Sequence, residues 1–115
     1  MKKIIAFVVL GFLLNTNTYA KNLKFTKIIN LDKPWGSSFI SDNEMIVTEK
    51  SGKIKIINIK NSNVTKVEHN LNFLETGQGG LLDIIYKDNF LWISYAENRG
   101  NSETSTSVAR GKFNK

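Results

Sequence analysis

The sequence predicts an all-β fold built from propeller-type blades, on two observations. Short runs rich in β-branched and aromatic residues alternate with turn-forming residues, and no segment keeps a helical period. The rhythm of strand and turn that runs from Trp35 restarts at Leu81, which is typical of repeated four-stranded units. One unit is expected to be complete, and the next is expected to lack its outer strand.

Strands are predicted wherever these runs occur. They cover Phe25–Leu31, Gly36–Ile40, Met45–Glu49, Lys53–Ile59, Val64–Val67, Leu81–Tyr86, Phe90–Tyr95 and Thr106–Phe113. The turns between them are predicted at Ser41-Asp42-Asn43, Ser51-Gly52, Asn61-Ser62-Asn63, Lys87-Asp88-Asn89 and Arg99-Gly100-Asn101-Ser102. Residues of these types favour the backbone angles that tight turns need.

Several of the predicted strands are apolar enough to require cover. Phe90–Tyr95 is apolar on both faces, which predicts a strand covered on both sides. Trp35 and Trp92 are predicted to be core residues, because a tryptophan in a strand buries a large apolar area; a platform that stacks on a sugar is the alternative for Trp35. Two blades alone would leave wide apolar sheet faces in water, so association is expected rather than a stable monomer.

Composition removes several classes of function. The 115 residues include no cysteine and one histidine, His69, which removes disulfide scaffolds, thiolate chemistry and most multi-histidine metal sites. The formal net charge is +6, but the lysines are spread along the chain rather than clustered, so no nucleic-acid interface is predicted. With 41% hydrophobic residues and one proline, the chain is expected to fold.

Residues 1–20 are predicted to be a signal peptide. Two lysines precede the apolar run Ile4–Leu14, and Thr18-Tyr19-Ala20 places small residues at positions −3 and −1 of a cleavage site. The run is shorter than the roughly 20 residues of a membrane-spanning helix, although an uncleaved anchor is the alternative. The mature domain, residues 21–115, is expected to be periplasmic or secreted, with no stable membrane insertion.

Three stretches of the chain carry a recognisable pattern. They are Pro34–Ile40 with Met45–Ile54, then Gly77–Ile84, then Trp92–Tyr95 with Thr106–Phe113. In this order and spacing they resemble the soluble pyrroloquinoline quinone (PQQ)-dependent sugar dehydrogenases, the glucose/sorbosone dehydrogenase family. The resemblance implies a six-bladed β-propeller, of which residues 21–115 would form the N-terminal portion, about the first two blades.

The run Gly77-Gln78-Gly79-Gly80 is the candidate site. Glycine weakens pleated packing and permits positive φ, so a tight loop entering Leu81 is expected. Such loops line one end of a propeller channel, where the Gln78 amide can donate and accept hydrogen bonds. The resemblance implies that Gln78, with Gly77, lies beside substrate and cofactor. The alternative is that Gln78 only satisfies loop backbone groups.

The resemblance also implies chemistry that these residues do not complete. The full-length family uses PQQ and calcium, oxidises an aldose sugar at its anomeric carbon and passes electrons to an acceptor of the cell envelope. The histidine base of the family follows the glycine–glutamine signature, whereas His69 precedes it, so His69 is predicted to be a surface or loop residue. Asp83 is predicted to bond to loop backbone or to Arg110 rather than to bind a metal.

No catalytic residue and no metal ligand is therefore expected among these 115 residues. The chain alone is expected to be inactive and to bind neither cofactor. A non-catalytic envelope propeller that serves as a binding module is the alternative function, because a fold does not determine an activity.

Cleavage of the signal is testable by intact-mass spectrometry of chain expressed in a bacterium. We expect the envelope fraction to contain a product that begins at Lys21. Ala20→Phe is expected to leave the chain uncut, because the −1 position accepts only small residues. Asn17→Phe, at −4, is the matched control and is expected to be cut normally. An unchanged product from the Ala20 variant would contradict the assignment.

Overall fold

The computed structural model describes residues 21–114, which form seven strands in two antiparallel sheets. The strands are β1 (Pro34–Ser41), β2 (Glu44–Glu49), β3 (Ile54–Asn58), β4 (Val64–Val67), β5 (Leu81–Lys87), β6 (Phe90–Gly100) and β7 (Glu103–Lys112). The first sheet has the order β1-β2-β3-β4 and the second β5-β6-β7. The predicted all-β class is confirmed, with one complete four-stranded unit and one that lacks its fourth strand.

Two-residue turns close the hairpins of the second sheet. The φ angles of Asp88 and Asn89 are 52° and 64°, and those of Asn101 and Ser102 are 51° and 63°. Positive φ at both central residues is typical of type I′ turns, whose twist matches that of the paired strands. The turns predicted at these two places are confirmed.

Apolar side chains of the two sheets meet in one core. Ile46 and Ile54 of the first sheet are buried against Leu81, Ile84 and Ile93 of the second. Each buried aliphatic side chain of this size stabilises the fold by roughly 1.5–3 kcal/mol. The register of β5 shifts between Leu81 and Ile84, which keeps both side chains on the core face although they are an odd number of residues apart.

The first strands of the two sheets touch at Gly36. A Cβ atom at Gly36 would lie 2.6 Å from the Cα atom of Asp83, so only glycine fits. The buried Thr48 hydroxyl accepts a hydrogen bond from the Gly36 N–H at 3.0 Å and donates one to the Leu82 carbonyl. Backbone contact, rather than side-chain interdigitation, therefore sets the distance between β1 and β5.

The predicted strand Phe25–Leu31 is wrong. Residues 21–33 contain no strand, and the side chains of Leu23 and Phe25 are 81% and 88% exposed. A sequence with strand propensity forms a strand only when a neighbour pairs with it, because strand stability comes from cross-strand contacts. No strand of the described chain pairs with this segment.

The outer faces of the stack are open, which contradicts the core assignment of both tryptophans. Trp35 on the first sheet is 49% exposed and Trp92 on the second is 42% exposed. Within residues 21–114, the strand from Phe90 is covered on one face only, because Leu91 and Ile93 point to the core and Trp92 points away from it. Pattern shows that a residue is apolar, but it does not show what covers it.

The predicted signal peptide, residues 1–20, lies outside the described residues. Across residues 21–114, no helix has the length and apolar character needed to cross a bilayer.

A buried carboxylate fixes the chain that enters β1. Glu49 is fully buried, accepts a hydrogen bond from the Asp32 N–H at 2.9 Å and pairs with the Lys55 ammonium at 2.7 Å. Burial alone raises the pKa of Glu49, but the Lys55 hydrogen bond and charge, with the Asp32 N–H, outweigh it and hold the pKa below its usual value. The Lys50 N–H also donates to the Lys33 carbonyl at 3.0 Å.

Because the pKa of Glu49 is lower in the folded state than in the unfolded chain, its contribution to stability is full above the reference value of 4.5 and falls as the pH drops below it. We expect Glu49→Gln to lower the free energy of unfolding at pH 7 by about 1–3 kcal/mol and to flatten its decline in acid. Urea unfolding between pH 7 and pH 3 measures both effects.

Glu68→Gln is the matched control for the Glu49 substitution. Glu68 also pairs with a lysine, Lys66, but its side chain is 82% exposed, so little change is expected. Equal effects of the two substitutions would contradict the role of the buried carboxylate.

Candidate functional site

Backbone hydrogen bonds hold residues 74–80, here called the β5 entry loop, between the two sheets. The Ala96 N–H of β6 donates to the Gly80 carbonyl at 2.8 Å. On the other side, the Leu81 N–H donates to the Lys50 carbonyl at 3.2 Å. A Cβ atom at Gly80 would lie 2.2 Å from the same carbonyl oxygen, so the loop approaches the first sheet where no side chain fits.

The tip of the β5 entry loop is a tight turn. Thr76 and Gly79 exchange backbone hydrogen bonds of 3.3 and 2.7 Å, with Gly77 and Gln78 between them. The φ of Gly77 is 52°, and positive φ at the first central position is the feature of type II′ turns that favours glycine. The structure thus contains the tight loop expected before Leu81.

The Gln78 side chain is exposed at this tip. No hydrogen bond joins it to any of residues 21–114, so its carbonyl oxygen and both amide hydrogens are open to a ligand. The alternative role, satisfying loop backbone groups, has no hydrogen bond to support it. A rigid turn with an uncommitted amide is suited to orienting a polar ligand.

Two lysines at the ends of strands of the first sheet, Lys33 before β1 and Lys50 after β2, flank the loop. The Lys50 ammonium donates to the Gly77 carbonyl, and the Lys33 ammonium pairs with Glu75 at 3.0 Å. The hydrogen bond from Lys33 to Glu75, followed by the charge of that carboxylate, raises the pKa of Lys33. Sequence reasoning missed these lysines, because they precede their partners by 27 and 42 residues and no local motif links them.

The β5 entry loop and the start of β1 lie at the same end of the stack. Gly36 contacts Asp83, and further along the Ser38 hydroxyl accepts a hydrogen bond from the Tyr86 N–H at 3.1 Å. The two first strands therefore run in the same direction, and both begin near the Gln78 turn. Any ligand at this end meets the loop, the Lys33 segment and the edges of both first strands.

His69 lies in the connection between β4 and β5, as predicted, and is structural. The Leu71 N–H donates to its Nδ1 atom at 3.2 Å, and its Nε2 atom lies 2.6 Å from the Gly52 carbonyl oxygen. Since Nδ1 accepts, the hydrogen is assigned to Nε2, which donates to the Gly52 carbonyl. Both ring nitrogens are committed, so neither is free to take a proton from a substrate.

Asp83 is also structural. Its Oδ1 atom accepts a hydrogen bond from the N–H of the next residue, Ile84, at 2.9 Å, so its partner is backbone of strand β5 and not the loop backbone or Arg110 that was predicted. Arg110 stacks instead over the rings of Phe90 and Trp92, with centroid distances of 4.7 and 5.4 Å. No group of three or more candidate metal ligands occurs among residues 21–114.

The chain belongs to the glucose/sorbosone dehydrogenase family, because the model of that family matches residues 31–115. The match includes both sheets and the β5 entry loop. No curated protein sequence gives a significant match to the chain.

Solved structures show the same fold. The apo soluble aldose sugar dehydrogenase of Escherichia coli is 27% identical with a TM-score of 0.64, covering 71% of this chain and 25% of its own. PQQ-bound aldose sugar dehydrogenase from Streptomyces coelicolor is 18% identical with a TM-score of 0.65, covering 74% and 26%. The chain thus spans about a quarter of the length of these enzymes.

Two glycines of the β5 entry loop, with Gly111 of β7 as a control, separate the requirement for positive φ from the requirement for space. Gly80→Ala is expected to lower the free energy of unfolding by more than about 2 kcal/mol, because its Cβ meets backbone in a strained conformation. Gly77→Ala has open space around it but positive φ, so about 1 kcal/mol is expected. Gly111→Ala, the control, has open space and ordinary φ. Urea titration measures the free energy of unfolding of each variant. A smaller loss for Gly80→Ala than for Gly77→Ala would contradict the loop geometry.

Proposed function

We propose that this chain supplies the β5 entry loop, with Gln78 at its tip, to the substrate and cofactor site of a PQQ-dependent aldose sugar dehydrogenase. The enzyme oxidises sugars at the anomeric carbon. The observation that carries the proposal is the exposed Gln78 amide, which has no hydrogen bond to the described residues and stands on a rigid turn in a chain of the sugar dehydrogenase family.

The donors around the turn fit PQQ, a planar quinone that carries carboxylate groups. The Gln78 amide would donate to a quinone oxygen without adding charge, and the Lys50 ammonium would favour an anionic ligand, whereas the charge of Lys33 is already paired with Glu75. When bound, PQQ supplies the centre that accepts two electrons from the sugar. The PQQ-bound Streptomyces coelicolor enzyme supports this choice of cofactor.

Calcium does not fit residues 21–114. The ion needs six to eight oxygen ligands, whereas the described residues contain no cluster of three acidic or histidine side chains. A calcium site of the whole enzyme would therefore need at least part of its ligand set from outside residues 21–114.

The role proposed for Gln78 is orientation rather than proton transfer. An amide does not titrate near neutral pH, so it holds a sugar hydroxyl or quinone oxygen by hydrogen bonds alone. Both nitrogens of His69 are engaged in hydrogen bonds, so we propose that the base that takes the proton lies outside residues 21–114, as the family resemblance implies. The isolated chain is accordingly proposed to be inactive.

We propose that the enzyme acts in the periplasm or outside the cell, because residues 1–20 have the pattern of a signal peptide. An envelope location suits a dehydrogenase that transfers electrons to an acceptor of the cell envelope. This part of the proposal rests on residues 1–20 and on the cleavage experiment described above.

A chimera tests the role of Gln78. Residues 31–115 replace the matching segment of the Escherichia coli enzyme, and oxidation of an aldose is followed with PQQ, calcium and a dye acceptor. We expect Gln78→Ala to lower kcat/KM by about 10- to 100-fold, because one hydrogen bond to a charged or polarised group is worth roughly 1.5–3 kcal/mol. The chain alone is expected to show no turnover under the same conditions.

Asn70→Ala is the matched control, because it removes an exposed amide from the β4–β5 connection. It is expected to leave kcat/KM within about twofold, while thermal melting checks that all chimeras fold. Equal kcat/KM for the Gln78 and Asn70 variants would refute the site. A folded chimera that binds sugar but never oxidises it would favour the binding-module alternative.

A further inference from the structure

Lys50 is the first residue after β2, and its backbone is bonded on both sides. Its N–H donates to the Lys33 carbonyl at 3.0 Å, and its carbonyl accepts a hydrogen bond from the Leu81 N–H at 3.2 Å. Lys50 is half-buried, and its side-chain stem lies against the β5 entry loop, because a Cβ atom at Gly80 would come within 2.8 Å of Lys50 Cγ. The long side chain is therefore confined before it reaches the tip of the loop.

The Lys50 ammonium donates to the Gly77 carbonyl at that tip. The bonds that close the turn run between Thr76 and Gly79. They leave the central peptide of the turn, which joins the Gly77 carbonyl to the Gln78 N–H, outside their own pairing. The bond from Lys50 therefore acts on a peptide that the closing bonds of the turn do not hold.

The turn alone does not determine how this central peptide is oriented. Gly77 has a φ of 52°, and a glycine at the first central position of a turn is permitted either sign of φ. Turns of different types keep the same closing bond but direct the central carbonyl differently. Because the Gln78 backbone continues from this peptide, a bond to the Gly77 carbonyl selects the direction of the Gln78 side chain.

Lys33, the other lysine beside the loop, is less suited to this role. Its ammonium pairs with the Glu75 carboxylate at 3.0 Å, before the turn begins, and its side chain is 59% exposed. An exposed ion pair is screened by solvent and holds its geometry weakly. Lys50 instead bonds to the backbone between the two residues that close the turn.

We propose that Lys50 is a positioning residue of the substrate and cofactor site: by holding the Gly77 carbonyl, its ammonium directs the Gln78 amide towards the ligand. This role rests on the function proposed above for Gln78. It differs from attraction of an anionic ligand by the Lys50 charge, which needs no bond to Gly77. A misdirected amide lowers kcat because the reacting group is held in the wrong place, whereas loss of charge attraction alone raises KM.

The enzyme chimera that carries residues 31–115 tests this role with PQQ, calcium and an aldose at saturation. Lys50→Met keeps the stem beside Gly80 and removes the ammonium, and it is expected to lower kcat by about 5- to 30-fold. Lys50→Arg keeps the charge and the donors, and its kcat is expected to stay within about threefold of the parent chimera.

Lys60→Met is the matched control. It also removes one exposed ammonium, but Lys60 follows β3, whose end lies at the opposite end of the sheet from Lys50. Its kcat is expected to change less than about twofold. Thermal melting checks that each variant folds, and Lys50→Gln replaces Lys50→Met if the latter does not.

A double substitution separates action through Gln78 from an independent effect. If Lys50 acts through Gln78, Lys50→Met is expected to lower kcat less than about twofold further in the Gln78→Ala chimera. Effects that multiply in the double variant overturn the proposal. An unchanged kcat in the single Lys50→Met chimera, with or without a raised KM, also overturns it.

Crystal structures of the cofactor-free chimeras give a readout that does not depend on activity. The Gly77 carbonyl is expected to face the Lys50 ammonium in the parent and to turn away in the Lys50→Met variant. An unchanged peptide between Gly77 and Gln78 overturns the proposal. If Gln78→Ala leaves kcat/KM unchanged, the proposed function fails, and these structures then decide by themselves whether Lys50 orients the turn.

Discussion

The contact between the first strands of the two sheets is the constraint on which the rest of the structure depends. Gly36 lets the backbone of β1 approach β5 so closely that a Cβ atom would lie 2.6 Å from Asp83 Cα. The Thr48 hydroxyl bridges the Gly36 N–H and the Leu82 carbonyl at the same place. Because β1 touches β5 by backbone here, the fully buried side chains of the first sheet's half of the core, Ile46 and Ile54, come from β2 and β3.

This geometry also positions the candidate site. Since β1 and β5 run in the same direction from a shared contact, the chain entering each of them arrives at the same end. The β5 entry loop is then fixed by backbone bonds to Lys50 and Ala96, which leaves the Gln78 side chain uncommitted. Backbone atoms of the loop therefore hold it in place, and the side-chain amide of Gln78 remains available to a ligand.

The residue types in the turns made the order of the strands predictable. The pattern of apolar side chains alone did not identify every strand and core residue correctly. Asp88-Asn89 and Asn101-Ser102 adopt the positive φ angles that their residue types tolerate, so the hairpins they close followed from local sequence. The segment Phe25–Leu31 and the two tryptophans have equally clear patterns, yet they remain unpaired or exposed within the described residues. A strand or a core residue needs a neighbour, and pattern does not supply one.

By itself, the sequence determined the all-β class, the four-plus-three division of strands, the glycine loop before Leu81 and the resemblance to sugar dehydrogenases. These properties depend on local backbone preference and on motif order, which are readable along the chain. Only the tertiary structure decided that Lys33 and Lys50 flank the loop, that both nitrogens of His69 are committed and that Gln78 has no hydrogen bond among the described residues. Those facts depend on contacts between residues far apart in sequence, which folding alone brings together.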